Sequence, residues 1–266
     1  MNLKKYWLVA SNSLQEYFVY RLNFILWRVR VVVSMLITYF LWFAVFSSSK
    51  QVFGYSENQM LTYVLLLSFM NSLVLSTQTF RIAEEINMGT LSMYLIRPVN
   101  YFSYNLARDL SDKALNVIFS VIEFIILILI LKPAIIIQSQ PSFIFLFLGA
   151  TTLGAILYFE IGIILSSIAF WSYETWAPRF IFFILVSFLA GNYFPLDILP
   201  GPLFHALSYL PFSYLIFFPL KLYLGEASGG FIIQGFTVVA LWIVGLYFFI
   251  NYLWAKGLRA YTSEGQ

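Results

Sequence analysis

Two pairs of carboxylates have spacings in this sequence that could do chemistry. Asp109 and Asp112 form a D-x-x-D flanked by Arg108 and Lys113. That spacing can hold a magnesium-bound diphosphate where several acidic groups converge. No second acidic cluster of that spacing occurs, and the flanking cations suit a solvated helix start instead. Glu123 and Glu160 stand within apolar runs. Glu123 lies ten residues beyond Lys113, roughly 15 Å along a helix, and Glu160 sits at a similar depth. An ionised carboxylate there costs about 2.5–3.5 kcal/mol to insert, so each is expected to be protonated, hydrogen-bonded or facing a wet cavity. No lysine or arginine inside an expected span offers either one a partner. Two readings stay open: a carboxylate lining a substrate path, or a neutral carboxyl bonded to a neighbouring helix.

The other routes to chemistry are closed by absence. His205 is the only histidine, which excludes H-E-x-x-H and argues against a histidine triad; its place is an interfacial hairpin. The chain has no cysteine, hence no thiolate metal site or cysteine nucleophile. It contains neither G-x-x-x-x-G-K-[ST] nor G-x-G-x-x-G, so no phosphate loop for hydrolysing ATP is expected. A formal charge of +3 is too small to suggest a nucleic-acid partner.

The elements that position these residues follow from composition. The chain has 266 residues, 61% hydrophobic and 10% charged, against about 45–50% and about 25% in soluble domains. Uncharged runs of membrane-crossing length recur, so the expected fold is all-α, a polytopic membrane protein with six transmembrane helices. The spans are expected at 31–49, 58–80, 114–131, 143–170, 180–194 and 231–255. Residues 1–30 read as an interfacial helix, with Leu3, Trp7, Ala10, Leu14, Phe18, Leu22 and Ile25 at steps of three and four. No cleavable signal peptide is evident after Lys4 and Lys5. The stretch 195–230 is too broken by proline to cross, so a re-entrant or interfacial hairpin is expected on the external side.

Residues 81–113 form a polar island between spans two and three. Within it Thr90 can cap a short helix that places Leu91, Tyr94 and Leu95 on one face, and Pro98 closes that helix. The result is a small amphipathic helix lying along the membrane surface. Placing both termini in the cytosol puts Lys4, Lys5, Arg21, Arg28, Arg30, Arg81, Arg97, Arg108, Lys113, Arg179, Lys256 and Arg259 inside, 12 of the 15 basic residues. Only Lys50, Lys132 and Lys221 remain outside, a strong positive-inside bias.

Four motifs together resemble the membrane subunits of type-2 ATP-binding-cassette exporters. They are Glu84-Glu85-Ile86 with Gly89-Thr90-Leu91 and Tyr94-Leu95-Ile96-Arg97-Pro98; Ala169-Phe170-Trp171; the stretch Gly191 to Pro200 with the later Leu210-Pro211-Phe212, Phe218-Pro219 and Leu224-Gly225; and Gly257-Leu258-Arg259-x-Tyr261 before Glu264-Gly265. The resemblance implies a half-pore in the cell membrane of bacterial type. It implies pairing with a second permease, identical or related, and with a separate ABC ATPase subunit that carries the ATP and magnesium. It further implies that Glu84, Glu85, Gly89, Thr90, Leu91, Tyr94, Leu95, Arg97 and Pro98 form a cytosolic coupling helix seated on that ATPase, braced by the N-terminal helix. This chain itself would carry no cofactor and no catalytic residue. Two alternatives are kept beside it: a membrane-embedded enzyme of the prenyl-transfer type using Asp109 and Asp112, and an ATPase-independent carrier using Glu123 and Glu160.

Overall fold

The computed structural model describes residues 3–19 and 21–262. Its elements run α1 (Leu3–Val19), α2 (Arg21–Phe46), a hairpin of β1 (Gln51–Val52) and β2 (Tyr55–Ser56), α3 (Glu57–Met70), a π turn (Asn71–Leu75), α4 (Phe80–Asn87) and α5 (Leu91–Leu95). They continue with α6 (Tyr101–Leu131), α7 (Pro141–Ser167) extended by a 3-10 turn (Ile168–Phe170), α8 (Trp176–Leu189), α9 (Gly201–Leu207), α10 (Phe217–Tyr223) and α11 (Gly229–Ala260). The strands pair antiparallel, Gln51 opposite Ser56 and Val52 opposite Tyr55.

Local signals start the long helices. Ser56 caps α3 in a reciprocal box with Gln59, and Asn100 caps α6 by accepting the Ser103 N–H at 2.9 Å. Ser228 does the same for α11, and α7 begins at Pro141, where the missing N–H is harmless. With those ends satisfied, the predominantly apolar bodies close their backbone bonds internally, as a bilayer requires.

Five described stretches are long and apolar enough to cross a membrane: Phe24–Phe46, Glu57–Asn87, Tyr101–Leu131, Pro141–Phe170 and Gly229–Ala260. The chain is therefore a polytopic, all-α membrane protein. The sixth expected span, 180–194, is the 14-residue helix α8, about 21 Å long at 1.5 Å per residue and short of an apolar layer of about 30 Å.

Two other boundaries differ from those expected, for one reason. Helix α2 begins at Arg21, so Arg28 and Arg30 lie inside it and do not close an interfacial segment. Helix α6 begins at Tyr101, so Arg108, Asp109, Asp112 and Lys113 belong to a helix body, not to a solvated helix start. All four of those side chains are buried, Asp109 completely. Counting uncharged residues ends a span at the first charge, whereas a helix continues through charges that find partners. The tail motif Glu264-Gly265 lies outside the described residues.

The main core joins α2, α3, α7 and α10. The segment 195–230 contributes to it directly: Phe217, Phe218, Leu220 and Leu222 of α10 are each at most 1% exposed, packed against α7. At one end a second, smaller core forms from Ile82, Ala83, Ile86, Leu91, Tyr101, Phe159, Phe170 and Trp254. Helix α1 packs along α6, where Ser111 Oγ donates to the Ala10 carbonyl at 2.7 Å.

Candidate functional site

The smaller core holds α4 and α5 as a foot on the bundle. Helix α4 turns its apolar side (Ile82, Ala83, Ile86) inward and leaves Glu84 exposed. It ends where Gly89 adopts φ +73°, a left-handed conformation that glycine reaches without strain. The turn drops Leu91 into the core at 0% exposure.

Two polar ties and an aromatic contact hold the foot. Buried Glu85 accepts from Arg108 at 2.7 Å and from the Tyr101 hydroxyl. The Tyr261 hydroxyl donates to the Gly89 carbonyl at 2.6 Å and accepts the Ser92 N–H at 3.2 Å, so the C-terminal segment clasps the turn. Tyr94 packs edge-on against Tyr101 and carries Arg97 over its ring at 5.2 Å. Burial, and after it the nearby Glu85 carboxylate, pushes the Tyr94 phenol up to about 12, so it stays neutral at physiological pH.

The predicted coupling residues are thus divided. Glu85, Gly89 and Leu91 face inward, Thr90 and Tyr94 are half-buried, and Glu84, Leu95, Arg97 and Pro98 are exposed. Leu91, Tyr94 and Leu95 share a face as expected, but the smaller core covers that face unevenly, enclosing Leu91, half-covering Tyr94 and leaving Leu95 exposed. Thr90 does not cap: its backbone is already helical (φ −74°, ψ −13°), and its hydroxyl bonds back to the Glu85 carbonyl at 3.3 Å. Absent from the predicted set are Met88, Met93 and Ile96, which are 72%, 57% and 85% exposed. Their signal was their apolar character within a polar island.

Glu123 is not without a cationic partner. Arg28 of α2 grips its carboxylate with Nε, at 2.8 Å, and with a terminal nitrogen, and its other bonds go to Ser72 at 3.1 Å and Ser120 at 3.0 Å. Starting α2 at Arg21 brings Arg28 level with Glu123. Glu160 is buried in α7, and its Oε2 meets no hydrogen-bond partner among the described residues. His205 is exposed on α9 and stacks on Tyr209.

Asp109 is occupied by the protein itself. Its carboxylate accepts from the Thr77 hydroxyl at 2.7 Å and the Gln78 N–H at 2.9 Å, and lies 3.3 Å from Lys113 Nζ. Asp112 accepts from the Gln78 side chain at 3.2 Å. Neither geometry presents converging carboxylates to a diphosphate.

Between α2, α3, α8 and the segment after the π turn lies a cavity of about 670 Å³. Its lining mixes polar and charged side chains, among them Arg30, Thr38, Asn71, Gln78, Asp112, Asn116 and Ser187, with apolar ones such as Val31, Met35, Leu67 and Phe183. Neither Glu123 nor Glu160 lines it. Glu123 and Arg28 border a smaller groove of about 300 Å³ between α2 and α6.

A bundle of long apolar helices, a cavity of mixed lining and a braced foot at one end fit a membrane transport component. Residues 32–265 match the family described as ABC-2 family transporter protein, and the chain belongs to that family. It is the membrane domain, or permease, of an ABC-type transporter, and the family implies an ABC ATPase as its partner. No curated protein sequence matches the chain.

Proposed function

We propose that this permease forms half of the pathway of an exporter, driven by a separate ATPase subunit seated on the foot. A second permease, identical or related, completes the pathway. The foot and both termini lie on the cytosolic side of a bacterial-type inner or plasma membrane. ATP and magnesium bind on the ATPase, whose closure moves the foot and shifts the bundle between two states of different cargo affinity. The mixed polar and apolar lining of the cavity suits an amphipathic cargo.

One observation carries this reading. The foot is fastened inward by Leu91, the Glu85–Arg108 pair and the Tyr261 clasp, yet turns Met88, Met93, Leu95, Ile96 and Arg97 outward. Apolar groups exposed on a rigid element mark a protein contact, and methionine and arginine are enriched in such contacts. The bias of basic residues toward the foot side supports its cytosolic placement.

The test is affinity purification of the chain from its host in mild detergent. A nucleotide-binding subunit is expected to co-elute, and Ile96→Asp is expected to release it while the permease stays folded. Transport by the isolated chain without any ATPase would overturn the proposal.

A further inference from the structure

The chain between α3 and the foot is not one continuous helix. The α-helical ladder passes into the π turn Asn71–Leu75, Ser76 is extended (φ −72°, ψ 134°), and helical bonding resumes only with Arg81 N–H to the Gln78 carbonyl. Broken backbone at membrane depth has to find partners elsewhere. Here it finds them sideways. Lys113 of α6 donates to the carbonyls of Val74, at 3.4 Å, and Ser76, and Asp109, one turn earlier, accepts the Gln78 N–H. The Thr79 carbonyl, which accepts the Ile82 N–H at 3.0 Å as α4 begins, is also met by the Ser166 hydroxyl of α7 at 2.7 Å and by Arg179 of α8 at 3.3 Å. Gly162 lets α7 approach: a Cβ there would stand 2.4 Å from Thr79 Oγ1.

A ladder of i to i+4 bonds carries displacement along a helix, and this one is interrupted at Ser76. The bonds that remain tie the base of the foot to α6, α7 and α8. Ser76, Thr77 and Gln78 also line the cavity, as do Asp112 and Asn116 of α6 and Phe183 and Ser187 of α8. We infer that residues 76–79 are the joint of the transporter, with Asp109, Lys113 and Arg179 as positioning residues that pass the foot's displacement to α6 and α8 rather than along α3. The joint thereby reshapes the cavity wall directly. This rests on the proposed seating of an ATPase on the foot.

The absence of cysteine makes paired spin labels straightforward. Asn58→Cys at the start of α3 and Phe188→Cys near the end of α8 both sit at exposed positions. In the permease assembled with its ATPase, adding ATP and magnesium is expected to change the separation of the two labels. Lys113→Met or Asp109→Ala is expected to abolish that change while the ATPase still co-elutes and hydrolyses ATP. The exchanged pair Asp109→Lys with Lys113→Asp restores opposite charges but not the backbone bonds, and is expected to be as defective as the single variants. Asp109→Asn keeps an oxygen acceptor for Gln78 and Thr77 and is expected to retain the movement, which keeps the test open if Asp109→Ala fails to assemble. Rescue by the exchanged pair, full movement in the single variants, or loss of movement in Asp109→Asn overturns the joint. Failure of the ATPase to associate even with the unaltered chain overturns the seating instead. The joint is then read from amide exchange in the permease, where equally fast exchange of the Gln78 N–H with and without Asp109 overturns it.

Discussion

At the residue scale, inward and outward positions in the foot make opposite predictions. Leu91 is wholly enclosed, so Leu91→Asp buries a carboxylate among Ile82, Ile86 and Phe170 and is expected to unfold the foot and lower the yield of assembled protein. Ile96→Asp changes an 85% exposed side chain and is expected to weaken ATPase retention with an unchanged melting temperature. The two variants together separate fastening from docking. The Arg28–Glu123 pair is a different case. Both groups are largely buried, 6% and 16% exposed, so Arg28→Met leaves an uncompensated carboxylate and is expected to cost about 3–5 kcal/mol. Arg28→Met with Glu123→Leu is expected to recover most of that loss, read as a double-mutant cycle of denaturation in detergent.

At the scale of elements, two glycines decide how closely α11 approaches the rest. A Cβ on Gly257 would lie 2.2 Å from Phe170 Cδ2, and one on Gly235 2.2 Å from Phe218 Cε2. Phe170 cannot easily yield, because Trp254, Trp171 and Tyr261 surround its ring. Gly257→Ala is therefore expected to destabilise by about 1–3 kcal/mol through overpacking. It should also loosen the Tyr261 clasp, raising amide exchange at Ser92. A Cβ on Gly245 would meet nothing within 4 Å, so Gly245→Ala serves as the control and is expected to be neutral or mildly stabilising. The short α8 gains its place from such contacts too: it is tied at its start by Arg179, while Trp42 donates to the Tyr193 carbonyl in the loop beyond it at 3.1 Å.

At the scale of the whole molecule, the foot and the β1–β2 hairpin belong to opposite sides of the membrane in the proposed topology. Met93 and Phe53 are both well exposed, 57% and 66%. In sealed right-side-out vesicles an impermeant thiol reagent is expected to label Phe53→Cys and spare Met93→Cys until the membrane is opened. The reverse pattern would invert the orientation and remove the foot from any cytosolic ATPase. The hairpin end has its own lock: Lys221 bridges Asp197 and Glu226, each at 2.7 Å, beside the Tyr55 hydroxyl. Burial and the Asp197 carboxylate push the Tyr55 phenol well up, so it remains a neutral donor there.

What was legible beforehand is what depends on neighbours in sequence. Apolar runs of membrane-crossing length specify helices, because a bilayer leaves the backbone no other partners, and the motif order of the polar island and the C-terminal segment carried the family resemblance. The rest depended on residues far apart in the chain. Arg28 meets Glu123 across 95 positions and Tyr261 meets Gly89 across 172, so no local count of charges could say which charges lie inside. The same holds for the face the foot turns outward, since helix packing, and not periodicity within five residues, buried Leu91 and exposed Ile96. Only the tertiary structure could assign those places, because a buried charge or an exposed methionine is defined by what stands beside it.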